Sequence, residues 1–289
     1  MQEVHYWQEM TSGEVTQLFS NQHTNPCFIF FPVGVIEAHG PLMPLGFDVK
    51  IVRLMTHIVC ENVIGMFAEK GIRPVIFDSI ADLGVISSTY NLDGGIPYEG
   101  MDTTKLLFTT IQSLYSRGIK HFFMINGDGG TSKSLRALLF RSERERTQFF
   151  GSWKGSFNFM TWFDDAKHKI DHAGPHEHAV LKYVCDLADD HTHTLAAKFR
   201  LHARLLTKEN LAKLERFQPK RYSQPHTEIV SWTQIPGQVE SGGVSYFSLD
   251  EYNSILEKGE VEFLWKQQLE KVSRYVCDRI TQICAKEVM

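Results

Sequence analysis

Hydrophobic residues along this chain alternate between two patterns. Short, nearly unbroken apolar runs occupy residues 27–36, 73–78 and 120–125, each rich in Phe, Ile or Val and each ending at turn or polar residues. Runs of that length read as strands buried on both faces. Between them lie longer stretches with one-sided helical spacing. Residues 49–67 place Ile51, Leu54, Met55, Ile58 and Val59 on one stripe, and residues 103–116 repeat the pattern with Leu106, Leu107, Ile111 and Leu114. After Gly130, Thr131 and Ser132 can cap a helix carrying Leu135, Leu138 and Leu139. A further strand is expected over residues 156–163, a helix over 177–188 and a final amphipathic helix over 261–286. Strands alternating with helices of this length predict βαβ units, with a parallel sheet covered on both faces. Residues 217–241 shift to Gln, Pro, Ser, Thr and Gly and read as a long loop or lid that shapes a pocket. No repeat and no boundary interrupts the pattern, so one domain is expected over residues 1–289.

Composition narrows the class without choosing a function. Of 289 residues, 43% are hydrophobic and 22% charged, enough apolar material for a sizeable core. A formal charge of −4, with Lys and Arg interleaved among acids, argues against a nucleic-acid surface. The five cysteines form no C-x-x-C pair, which points to a reduced, cytoplasmic compartment. The longest apolar run is about half of the ~20 residues a membrane span needs, so no membrane partner is expected.

Three polar segments carry the candidate chemistry. Glu37-Ala38-His39-Gly40-Pro41, followed by Asp48, leaves the C-terminal end of the first buried strand, where ligands bind in open α/β sheets. In extended backbone Glu37 and His39 would point the same way and converge on one divalent ion. Spacing alone leaves this segment open between a ligand set and a polar loop with Asp48 as a helix N-cap. Asn126-Gly127-Asp128-Gly129-Gly130 joins a strand to a helix and lacks the closing residues of a Walker loop and of a dinucleotide fingerprint. It reads as a tight turn, or as a turn that offers Asp128 as an oxygen ligand. His172-Ala173-Gly174-Pro175-His176-Glu177-His178 gathers three histidines and a glutamate. Its bland reading is surface histidines beside a helix start, with Glu177 favourable in the first turn, and that reading is favoured for His178. His191 and His193 read as loop residues.

Together these segments resemble the creatininase family of metal-dependent amidohydrolases. Its first signature, P-x-G-x-x-E-x-H-G-P-x-x-P-L-x-x-D, is matched by Pro32, Gly34, Glu37, His39, Gly40, Pro41, Pro44, Leu45 and Asp48. The second, N-G-H-G-G-N, appears as Asn126 to Thr131 with Asp128 in place of histidine, and the third, H-A-G-x-x-E-T-S, as His172 to Ala179 with His178 and Ala179 in place of Thr-Ser. A weaker echo joins Gly243-Val244 to Glu257-Lys258-Gly259. The resemblance implies a three-layer αβα sandwich with a mainly parallel sheet. It also implies one or two divalent ions (zinc, manganese or iron) and a homo-oligomer, commonly a hexamer. Carried over position by position, Glu37, His39, Asp48, Asp128 and Glu177 would be metal ligands. His172 and Glu177 would be the catalytic pair, His172 passing a proton to the leaving nitrogen.

The expected activity is hydrolysis of a carbon–nitrogen bond in a small cyclic amide, formamide or related molecule. The departures leave an alternative open: a catalytically silent relative that binds a small molecule or serves as a scaffold. Asp128 exchanges a neutral nitrogen for an anionic oxygen, a change that favours harder ions. The segment Tyr90-Asn91-Leu92-Asp93-Gly94-Gly95-Ile96-Pro97 stands where the family has a P-G-T turn, so creatinine itself is not the expected substrate.

Overall fold

A computed structural model describes residues 3–82, 84, 95, 100–128, 131, 155–161, 172–190, 204–214 and 247–287. Five strands form one sheet: β1 (His5–Tyr6), β2 (Cys27–Val33), β3 (Arg73–Ile76), β4 (His121–Asn126) and β5 (Ser156–Thr161). Every pairing is parallel, and the order across the sheet is β1-β3-β2-β4-β5. The register sets Ile29 beside both Val75 and Phe122, and Val33 beside Asn126.

Alternation along the strands divides the core into two layers. Phe28, Phe30, Phe123 and Ile125 face one side, and Ile29, Phe31, Phe122 and Met124 face the other. Phe rings pair across β2 and β4 on both faces, Phe30 with Phe123 at 5.0 Å and Phe31 with Phe122 at 6.1 Å between centroids. Each such ring, fully withdrawn from water, contributes about 1.5–3 kcal/mol. The first face is covered by α2 (Phe47–Asn62), α3 (Ile64–Glu69), α5 (Pro175–Asp190), α6 (Lys208–Leu214), α7 (Leu249–Glu257) and α8 (Glu260–Glu287). The second is covered by α1 (Ser12–Ser20) and α4 (Gly100–Tyr115). The result is the expected three-layer α/β sandwich.

Several expected boundaries move. The first buried strand stops at Val33, not at 36, because Gly34 N–H turns to the Ala81 carbonyl and leaves the ladder. Glu37 and His39 therefore stand on irregular backbone, not on an extended strand. The helix expected over residues 49–67 starts at Phe47 and breaks at Val63, a buried β-branched residue with Gly65 just beyond it. Its N-cap is Gly46, so Asp48 lies inside the first turn and makes no capping bond. Helix α1 was not anticipated, yet its start is written in the sequence: Thr11 and Glu14 form a reciprocal capping box. The expected helix after Gly130 beyond Thr131, the loop over 217–241, His191, His193 and Gly243-Val244 lie outside the described residues, as does the segment at 90–97 apart from Gly95. Among the described residues, no helix is long and apolar enough to cross a membrane.

Candidate metal centre

The strand order places a switch point between β2 and β4. From β2 the chain crosses to β3 on one side, and from β4 it crosses to β5 on the other. A crevice opens at the C-terminal ends of such a strand pair. Glu37 and His39 follow β2, and Asp128 follows β4. Asp48 is brought over them by close approach of α2, which two glycines permit. A Cβ on Gly34 would meet Val49 N at 2.5 Å and the Asp48 carbonyl carbon at 2.7 Å, and one on Gly127 would meet Val52 Cβ at 2.8 Å. Gly34 is also a fixed glycine of the first motif, which is the trace of this packing in the sequence.

The remaining groups arrive from the turn before α5. Ala173 adopts a left-handed backbone, φ 50°, with its side chain fully buried. Such a conformation costs a non-glycine residue roughly 1–2 kcal/mol and is found where the fold imposes it. Ala173 N–H donates to Glu177 Oε2 at 2.6 Å, closing the turn and fixing the carboxylate. The turn sets the His172 ring beside His39, with centroids 4.5 Å apart.

All six residues predicted as site residues converge. Three overlapping groups each have ligand atoms within 4.8 Å of one another: Glu37, His39 and His172; His39, Asp48 and Glu177; Glu37, Asp48 and Asp128. His39 is fully buried. Its Nδ1 contacts the Glu37 carbonyl at 3.0 Å, so Nδ1 carries a proton and, in the neutral ring, Nε2 is the lone-pair nitrogen. That Nε2 lies 3.6 Å from Asp48 Oδ1 and 3.8 Å from Glu177 Oε2, with no hydrogen-bond partner. A buried acceptor facing two carboxylates is a costly arrangement unless a cation joins them. The donor set therefore fits a divalent metal of borderline or hard character.

Electrostatics point the same way. Burial, and then the neighbouring Asp128, push the Asp48 carboxyl well above its ordinary range. Ionised carboxylates this close repel one another unless positive charge offsets them. His172 is driven down to about 3, first by burial and then by His39, while its bond to the Ala38 carbonyl opposes the shift. Its ring is therefore neutral near pH 7. Asp128 also takes a structural share, since one carboxylate oxygen accepts the Thr131 N–H at the next helix start. The Asn126 side chain donates to the Asp128 carbonyl and tightens the same turn.

His178 stands apart from these groups. It is fully buried in α5, with Nδ1 bonded to the Gly174 carbonyl at 2.9 Å and its ring edge-on to Phe247 at 5.1 Å. The surface position expected for it is corrected, because its ring is buried against Phe247. Sequence reasoning did not find the backbone carbonyls of Glu37 and Ala38 that orient the two imidazoles, because main-chain acceptors leave no trace in residue identity.

Solved structures with this architecture span almost the whole chain. One described as a manganese creatininase superimposes with a TM-score of 0.62 at 16% identity, covering 96% of this chain and 99% of its own. A crystal structure of creatinine amidohydrolase gives 0.61 at 16% identity, covering 95% and 97%. A creatininase variant described as Zn-Zn type gives 0.59 at 15% identity, again covering 95% and 97%. No curated protein is a significant match to the sequence. The family model for creatininase, creatinine amidohydrolase, matches residues 8–216, and with the motif residues assembled at one crevice, the chain belongs to the creatininase family.

Proposed function

We propose that this protein is a metal-dependent hydrolase of carbon–nitrogen bonds in small cyclic amides, formamides or related compounds. The observation that carries the reading is the buried, unpartnered His39 Nε2 set against Asp48 and Glu177. Glu37, His39, Asp48, Asp128 and Glu177 would hold one or two divalent ions. Relatives described by manganese and by zinc support either metal here. A bound ion would lower the pKa of a water molecule and polarise the substrate carbonyl.

The chain's own groups handle the protons. Water oxygen bonds to the carbonyl carbon, the C–N bond breaks, and the nitrogen leaves with a proton that originated on the water. The family resemblance gives that transfer to His172. Its neutral ring holds its single proton on Nε2, against the Ala38 carbonyl at 2.7 Å, so Nδ1 has none to deliver. This supports Glu177 as the relay. One of its oxygens is fixed by Ala173 N–H, and a carboxylate so held can take the water proton and return it to nitrogen.

The test joins metal analysis to an assay. Purified protein, Glu37→Ala and His39→Ala are compared for bound zinc, manganese and iron, and for amine release from a panel of cyclic amides and formamides. Metal and chelator-sensitive turnover in the parent, both lost in the variants, is the expected result. Unchanged metal content in both variants would sink the site assignment. A parent that takes up no metal would favour the silent relative. The hexameric assembly implied by the family belongs to the same reading, and the mass in solution checks it.

A further inference from the structure

Asn126 Oδ1 and Thr103 Oγ1 are buried atoms with no hydrogen-bond partner, on two elements that meet beside the crevice. Asn126 closes β4, and alternation from Phe122 and Met124 turns its side chain to the α4 face of the sheet. Gly127 N–H donates to the Val33 carbonyl at 2.8 Å, so this end of β4 lies against the end of β2. Helix α4 ends at Tyr115, just before β4 starts at His121, so its first turn lies at the C-terminal ends of the strands. Leu107, Ile111 and Leu114 of α4 share one core cluster with Phe122 and Met124, and Thr103 continues their stripe one turn further. The stripe sets Thr103 over the end of β4, on the face to which Asn126 turns.

Neither side chain is satisfied locally. Thr56, Thr109 and Thr110 each donate to the carbonyl four residues earlier in their helices, and Thr103 makes no such bond. The Asn126 amide is tethered by Nδ2 to the Asp128 carbonyl, so its oxygen can only accept. A threonine hydroxyl donates or accepts. The pair therefore fits a ligand edge that offers an N–H to Asn126 and a carbonyl or second N–H to Thr103. A carboxylate or phosphate would set acceptor against acceptor at Asn126. We propose that Asn126 and Thr103 are specificity-determining residues, a subsite on the α4 side of the crevice for an uncharged, N–H-bearing edge of a cyclic amide or urea. This rests on the proposed hydrolase reading and adds to it. Asn126 stands two residues before Asp128, so a substrate held here spans the ends of β2 and β4 with its scissile carbonyl towards the α2 side.

Calorimetry on the full-length protein, with zinc supplied and then with zinc removed, compares ethyleneurea with its N,N′-dimethyl derivative, which lacks the N–H groups. Bound zinc is measured in the same samples. Ethyleneurea should bind the parent at least about tenfold more tightly than the dimethyl compound. Thr103→Val keeps the side-chain shape and removes the hydroxyl, and it should weaken ethyleneurea by about fivefold or more with bound zinc unchanged. Asn126→Ala should bring the two compounds to equal affinity. Equal affinity in the parent, or binding of neither compound, would overturn the subsite. Parental affinity in Thr103→Val together with a higher melting temperature would mark a hydroxyl served by ordered water only, and would overturn it as well. A folded parent that takes up no zinc but keeps the N–H preference would overturn the hydrolase reading and leave the subsite standing.

Discussion

His39 Nε2 and Asp48 Oδ1 face each other at 3.6 Å, and the buried Nε2 has no hydrogen-bond partner. The irregular segment after β2 supplies the imidazole and α2 the carboxylate, and neither has a local reason to place its group there. On the proposed reading, a divalent ion supplies the positive charge that makes the pair tolerable.

The first prediction concerns stability. Zinc or manganese at about 100 times its dissociation constant should stabilise the protein by about 2.7 kcal/mol. For a chain of this size that corresponds to roughly 5–10 °C in Tm. Thermal melts of the parent should show the shift and those of His39→Ala should not. A shift that survives in His39→Ala would place the ion elsewhere.

The pH dependence of the metal-free protein should carry two opposed contributions. The His172 pKa is lowered to about 3 from an ordinary 6.5, so below 6.5 the unfolded chain binds a proton that the fold refuses. Stability from this group is therefore complete above 6.5 and falls as pH drops towards 3, by at most about 1.4 kcal/mol per pH unit. The Asp48 pKa is raised above 3.8, so here the folded state holds its proton longer, and stability falls as pH rises from 3.8 through the folded value. Denaturation midpoints against pH should lose the first slope in His172→Gln and the second in Asp48→Asn. Unaltered profiles in both variants would refute the assignment of these shifts.

Gly34→Ala should damage the site from a distance. The added methyl would press on the backbone at Asp48 and Val49, which has little room to yield. Overpacking of this kind costs about 1–3 kcal/mol, and the start of α2 is the part that must move. Metal affinity should fall together with the melting temperature. A variant that is less stable but binds metal with parental affinity would show that Asp48 is positioned by other means.

Asp128→His should turn the crevice towards zinc. Replacing an anionic oxygen with a neutral nitrogen favours the softer ion, so the ratio of zinc to manganese affinity should rise by about tenfold or more. Competition between the two metals, read by elemental analysis after dialysis, measures the ratio. No change would indicate that Asp128 serves only the Thr131 turn.

What the sequence by itself determined is local or periodic in nature. The apolar runs at β2, β3 and β4 and the striped helices were legible because burial on two faces or on one leaves a repeating imprint. Glu37, His39, Asp48, Asp128, His172 and Glu177 were legible because their spacing matched motifs. Boundaries were less so. Gly34 leaves the ladder for the Ala81 carbonyl, and Val63 breaks a helix whose periodicity runs straight through it. Only the tertiary structure decided what the six residues do to one another. The connections from β2 and β4 leave towards opposite sides and make the crevice, and two glycines let α2 descend onto it. The carbonyls of Glu37 and Ala38 choose which nitrogen each histidine presents. Apart from the His39 contact, which spans two residues, these relations join groups far apart in the chain, and side-chain identity does not encode them.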